Sequence, residues 1–86
     1  MKKVQRDHLL LYNISKIITG ANCHEINDQI QLYLCWIQIV NDTIDNPNMH
    51  DKYDERIKKF EEIERDLRIM YITLLIKTPV PKASLD

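Results

Sequence analysis

Ile26, Ile30, Tyr33, Ile37, Val40 and Ile44 follow one another at steps of four and three without a break. An α-helix makes a turn every 3.6 residues, so such steps return to a single line on its surface. The opposite conclusion for β structure comes from the turns. Tight hairpins rely on Gly, Asn-Gly or Asp-Gly, and the one glycine here, Gly20, follows a threonine. A β-rich fold is therefore excluded and an all-α fold expected.

The unbroken line predicts a helix over Cys23 to Asp45. Leu34 widens its apolar face on one side, and Trp36, Leu32 and Ile39 widen it on the other. Only a narrow polar stripe is left, through Asn27, Gln31, Gln38 and Asp42 with Cys35 at its edge. This helix is expected to be the most buried, with Trp36 in the core. A first helix is predicted over Lys3 to Thr19, with Leu10, Ile14 and Ile17 along one face and Leu11 and Ile18 beside them. Gly20 suits the left-handed position after a helix end. Asn22 offers an N-cap for the second helix, with Glu25 three residues on to complete a capping box.

Asn46-Pro47-Asn48 interrupts the pattern, because proline has no N–H for a continuing helix but starts a new one well. From Met49 to Lys77 a third helix follows, with Phe60, Ile63, Leu67, Met70 and Leu74 at steps of three and four and Tyr53 and Ile57 leading in. Residues 78–86 read as an extended tail behind a single helical domain of residues 1–77. Short connections make the neighbours antiparallel, which predicts a three-helix up-down-up bundle with a long C-terminal helix.

Helix lengths then point to a surface. The second helix spans roughly 35 Å and the third roughly 44 Å, so the last turns of the third should overhang. Those turns are apolar nearly all round: Ile69, Met70, Ile72, Leu74, Leu75 and Ile76. Solvated helix ends are not built that way. The expected partner-binding surface is Ile69, Ile72, Leu75 and Ile76 with Arg68 and Tyr71 at its margin. It would be covered by another protein chain, either a second copy in a homodimer or a heterologous partner.

Composition and charge narrow the remaining classes. The 86 residues are 44% hydrophobic and 29% charged with a net charge of −1, which is ordinary for one globular domain. No apolar stretch approaches the roughly 20 residues of a membrane span. The N-terminus opens with two lysines but lacks the long apolar run of a signal peptide, so a cytoplasmic location is expected. Cys23 and Cys35 on one helix would lie roughly 18 Å apart, far beyond disulfide reach, and are read as reduced and mostly buried thiols. Residues 1–16 carry a charge of +3, residues 17–51 carry −5 and residues 52–86 carry +1. Lys2, Lys3 and Arg6 should compensate Asp42 and Asp45 at the end of the second helix. On the third helix Asp54/Lys58, Glu55/Lys59, Glu61/Arg65 and Glu64/Arg68 run acid to base at i,i+4 along a solvated face. With a pI of about 6.3 and an acidic middle, no nucleic-acid partner is expected.

Catalytic signals fail on spacing. His24-Glu25 lacks the second His that a zinc-protease helix needs, because position 28 is Asp. His24/Asp28 and His50/Asp54 start successive antiparallel helices and so lie at opposite ends. The carboxylate steps Glu25/Asp28, Asp42/Asp45 and Glu61/Glu64 do not face one another as paired Mg²⁺ ligands would. No catalytic residue, metal ligand or cofactor is assigned. A DNA-binding transcription regulator and a metal-dependent nucleotide hydrolase are the rival classes. The favoured expectation is a small, non-enzymatic regulator that docks on another protein. Thirteen Ile against two Ala suggest an A+T-rich genome, such as that of a phage or a low-GC bacterium, and a phage-encoded modulator or inhibitor of a phage or host protein fits.

Overall fold

The computed structural model is all-α, with α1 (His8–Ile17), α2 (His24–Asp45), a 3₁₀ turn (Pro47–Lys52) and α3 (Tyr53–Lys77). It describes residues 1–18 and 23–77. The expectations for Gly20, Asn22 and the tail 78–86 lie outside the described residues.

Helices α2 and α3 form an antiparallel hairpin. Their register is fixed where the Arg56 guanidinium donates to Thr43 Oγ1 at 2.7 Å, and where the Gln29 side-chain amide donates to the Ile63 carbonyl at 3.0 Å. Between these two ties the rings of Tyr33 and Phe60 stack with centroids 5.7 Å apart. The connection follows from Pro47. The residue before a proline is pushed out of the helical region, and Asn46 is extended at φ −114°, ψ 102°, which ends α2 at Asp45. The Asn46 side chain then accepts from the Asn48 amide and its carbonyl from the Met49 amide, starting the 3₁₀ turn. The third helix thus begins at Tyr53 rather than Met49, because the first six residues after Asn46 wind more tightly.

Leu10, Ile14, Ile26, Tyr33, Val40, Phe60, Ile63 and Leu67 are buried together as one core. All eight lie on the lines that the three- and four-residue steps define. Thr43 is also fully buried; its hydroxyl donates to the Ile39 carbonyl while accepting from Arg56, so no polar atom is stranded. The expected burial fails for Leu32 and Cys35 and holds only in part for Trp36 and Cys23. Leu32 is exposed, and Trp36 is only half-buried in a furrow lined by Lys52, Glu55, Lys59 and Glu62. Leu32 lies outside the core, whereas Trp36 packs against the core from one side and faces the charged flank of α3 on the other. Cys35 is exposed and Cys23 half-buried, both as free thiols.

The largest departure is at the start of the chain, where residues 1–7 are an extended arm and not the first turns of a helix. The arm runs antiparallel to α2. Lys3 Nζ meets Asp45 at 3.0 Å, Val4 exchanges two hydrogen bonds of 2.9 Å with the Asn41 side-chain amide, and the Asp7 amide donates to the Tyr33 hydroxyl at 2.8 Å. From Asp45 to Tyr33 is roughly 18 Å of helix; four extended residues reach roughly 13 Å and four helical ones only about 6 Å. Only the extended form keeps Lys3 and Asp7 near their partners. Among the described residues the expected compensation of the acidic α2 end is made by Lys3, with Asp42 accepting instead from Gln38 at 2.8 Å. Helix α1 then continues past Tyr33, its backbone closer to α3 than to α2. The Cα positions span 57 × 23 × 15 Å, the thinnest dimension being that of two helical layers: the hairpin, and the arm with α1 upon it.

Asp7 is where arm, α1 and α3 meet. Its carboxylate accepts from the Leu10 amide at 3.0 Å as the N-cap of α1 and from Arg68 Nη2 at 3.1 Å. The Leu10 amide first and the Arg68 guanidinium second hold the Asp7 carboxyl below its ordinary value. A carboxyl depressed in the folded chain adds stability above its unfolded value, near 4, and loses it as pH falls through the lower folded value. Asp7→Asn keeps a capping oxygen but loses the charge. In urea unfolding the wild-type midpoint is expected to exceed that of Asp7→Asn at pH 7 and to converge on it by about pH 2. An equal gap at both pH values would remove the charge from the account.

Candidate binding surface

The last turns of α3 carry exposed apolar side chains. Ile69 and Ile72 are each 53% exposed, Leu75 46% and Ile76 80%. The core line Phe60–Ile63–Leu67–Met70–Leu74 fixes the inner side of α3; Ile69, Ile72 and Ile76, at steps of three and four, project from the outer side. Up to Arg68 that outer side is charged, through the exposed Lys58, Glu61, Glu62 and Arg65. From Ile69 onward it is apolar. The change falls where α2 runs out. With Gln29 level with Ile63, His24 at the start of α2 lies level with about Arg68, so the nine residues after Arg68 project by roughly 13 Å.

The two expected margin residues stand differently. Arg68 is engaged within the chain, with Asp7 at 3.1 Å and Glu64 at 3.8 Å. It is therefore the clasp of the arm, not an uncommitted rim charge. Tyr71 is half-buried and packs against the core with Met70 and Leu74. Of the four expected i,i+4 ion pairs on α3 only Glu64–Arg68 closes among the described residues, and Lys59 turns to Glu62 at 4.0 Å instead.

Beside the apolar end, a groove of about 440 Å³ opens between the start of α2 and the overhang of α3. Cys23, His24 and Ile26 line one wall, and Met70, Thr73, Leu74 and Lys77 the other. Sequence reading missed this groove, because its walls come from segments about fifty residues apart. It also missed Leu9 and Tyr12, which stand exposed on α1 with Lys16 Nζ 4.5 Å from the Tyr12 ring centre. Their step of three, offset from the buried Leu10–Ile14 line, is the signal that could have found them.

The histidines have separate local surroundings. His50 Nε2 lies 2.8 Å from the Ile44 carbonyl, in the last turn of α2, and so satisfies a carbonyl with no helical partner. His24 lies on the groove wall at the other end of the bundle. Among the described residues no three His, Cys, Asp or Glu side chains converge as metal ligands would. Among them, too, no helix is long and apolar enough to cross a membrane. The chain matches no known family model, no curated protein and no solved structure.

Proposed function

We propose that this chain is a small regulatory protein that acts by binding another protein chain through the apolar end of α3. The observation that carries the reading is the contiguous exposure of Ile69, Ile72, Leu75 and Ile76 on a segment that projects beyond its own hairpin. Full burial of an aliphatic side chain is worth about 1.5–3 kcal/mol, so the half-exposed Ile69, Ile72 and Leu75 each leave roughly 1 kcal/mol to be gained from a partner and the more exposed Ile76 leaves more. Helical anchors at i, i+3 and i+7 are also the pattern by which a helix fills a groove or completes a bundle. The isoleucine-rich, alanine-poor composition fits an A+T-rich genome, and in a phage such a protein would modulate a phage or host target.

The test is a photo-cross-linking residue placed at position 72 or, as a control on the outer face of α2, at position 31, irradiated in the cells that make the chain. Protein adducts are expected at 72 and not at 31, and adding Ile69→Asp and Ile76→Asp should abolish them while helicity by circular dichroism stays unchanged. Adducts at neither position, or equally at both, would refute the reading.

A further inference from the structure

The outer face of α3 is self-complementary, and we infer that its partner is a second copy of this chain, bound α3 to α3 in antiparallel fashion. The inference rests on the reading of this end of α3 as a binding surface and goes further in naming the occupant. Asp66 and Lys77 are eleven residues apart, close to three helical turns, so they share one flank of α3. Neither has an ion-pair partner among the described residues. Between them the outer side carries Ile69, Ile72 and Ile76. The stripe therefore reads acid, apolar, base along the helix.

An antiparallel two-fold axis midway between Asp66 and Lys77 matches this order to itself. It sets each Asp66 level with the Lys77 of the other copy, giving two symmetry-related ion pairs. It also sets each Ile69 between the Ile72 and Ile76 of the other copy, which is knobs-into-holes packing. A parallel pair would instead place Asp66 against Asp66 and Lys77 against Lys77. Because α2 begins only near the level of Arg68, the two hairpins extend away from each other and only the overhangs overlap. An overlap of about ten helical residues is small for an interface, so the dimer is expected to exchange with monomer as concentration changes.

Sedimentation equilibrium over a wide concentration range tests the arrangement. The mass of the full chain is expected to rise from one copy toward two. Ile72→Asp should weaken the dimer at least about tenfold with helicity unchanged. Asp66→Lys alone and Lys77→Asp alone, each replacing two attractions by two repulsions, should weaken it roughly fivefold, and the double exchange in one chain should restore it. A dimer indifferent to the charge exchanges, or lost in the double exchange as in the singles, overturns the antiparallel pairing. A monomer at every concentration overturns the inference as a whole. If position 72 still gives adducts with a different protein in that case, the binding-surface reading stands without the dimer; if it gives none, both fall.

Discussion

Leu67→Ala is expected to destabilise the chain by about 3 kcal/mol, and Ile69→Ala, two residues further along the same helix, by less than about 0.5 kcal/mol. Leu67 is wholly buried beneath α1 and against the hairpin core, whereas Ile69 is half in solvent on the outer side. Removing three carbons at position 67 leaves a cavity that packed helices close only in part, and the cost adds to the lost transfer energy. For a domain of this size, whose total stability is of the order of 5–10 kcal/mol, such a loss removes roughly a third to a half or more of it. At position 69 the same deletion removes surface that water already reaches. Urea unfolding of the two variants at a concentration where the chain is monomeric checks the contrast directly. Similar losses at both positions would mean that Ile69 is covered within the single chain, and the case for an exposed binding surface would go with it.

That contrast between neighbours was legible before any coordinates, because it is a matter of helical period. The lines Ile26–Ile44 and Phe60–Leu74 put Tyr33, Val40, Phe60, Ile63 and Leu67 on inner faces, and all five are buried. The overhang of α3 is legible from the sequence only in part: α3 is three residues longer than α2, and the rest comes from the 3₁₀ turn, which offsets the start of α3 against the end of α2. Period is silent about which position of an apolar face finds a neighbour, so Leu32 reads like Trp36 and Leu34, yet those two pack against the core while Leu32 stays exposed. The arm was lost to a different cause. Leu10 and Ile14 imply a helix, and the pattern was extended back to Lys3 where no apolar line supports it. Asp7, three residues before the Leu10 amide that it caps, was the available stop signal. The partners that hold the arm extended, Asn41 and Tyr33, lie about thirty residues away and leave no local trace. Nothing in its neighbourhood along the chain singles out Asn41, which in the fold is matched donor for acceptor with the Val4 backbone.

This arm supplies the second large effect. Asn41→Ala and Tyr33→Phe together are expected to cost about 2–3 kcal/mol, although neither alters the shape of the core. Asn41→Ala takes away both the acceptor for the Val4 amide and the donor to the Val4 carbonyl. Tyr33→Phe keeps the stacked ring on Phe60 but removes the hydroxyl that accepts from the Asp7 amide. Burial raises the pKa of that hydroxyl, which therefore stays neutral and suited to this role through the ordinary pH range. With both gone, the remaining ties of the arm are the Lys3–Asp45 pair at one end, the Tyr53 hydroxyl donating to the Lys2 carbonyl, and the Asp7–Arg68 clasp at the other. The first and last are exposed ion pairs of little individual worth. Amide hydrogen exchange resolves the outcome. In the wild type the Val4 and Asp7 amides should exchange slowly, with protection approaching that of the core. In the double variant both should exchange as an open chain does, while the amides of Val40 and Leu67 keep protection lowered only by the global loss. The two single losses should fall short of the combined one, because freeing one end of the arm leaves the other still anchored. Protection at Val4 that survives both substitutions would show that the arm is held by its apolar contact and not by these hydrogen bonds.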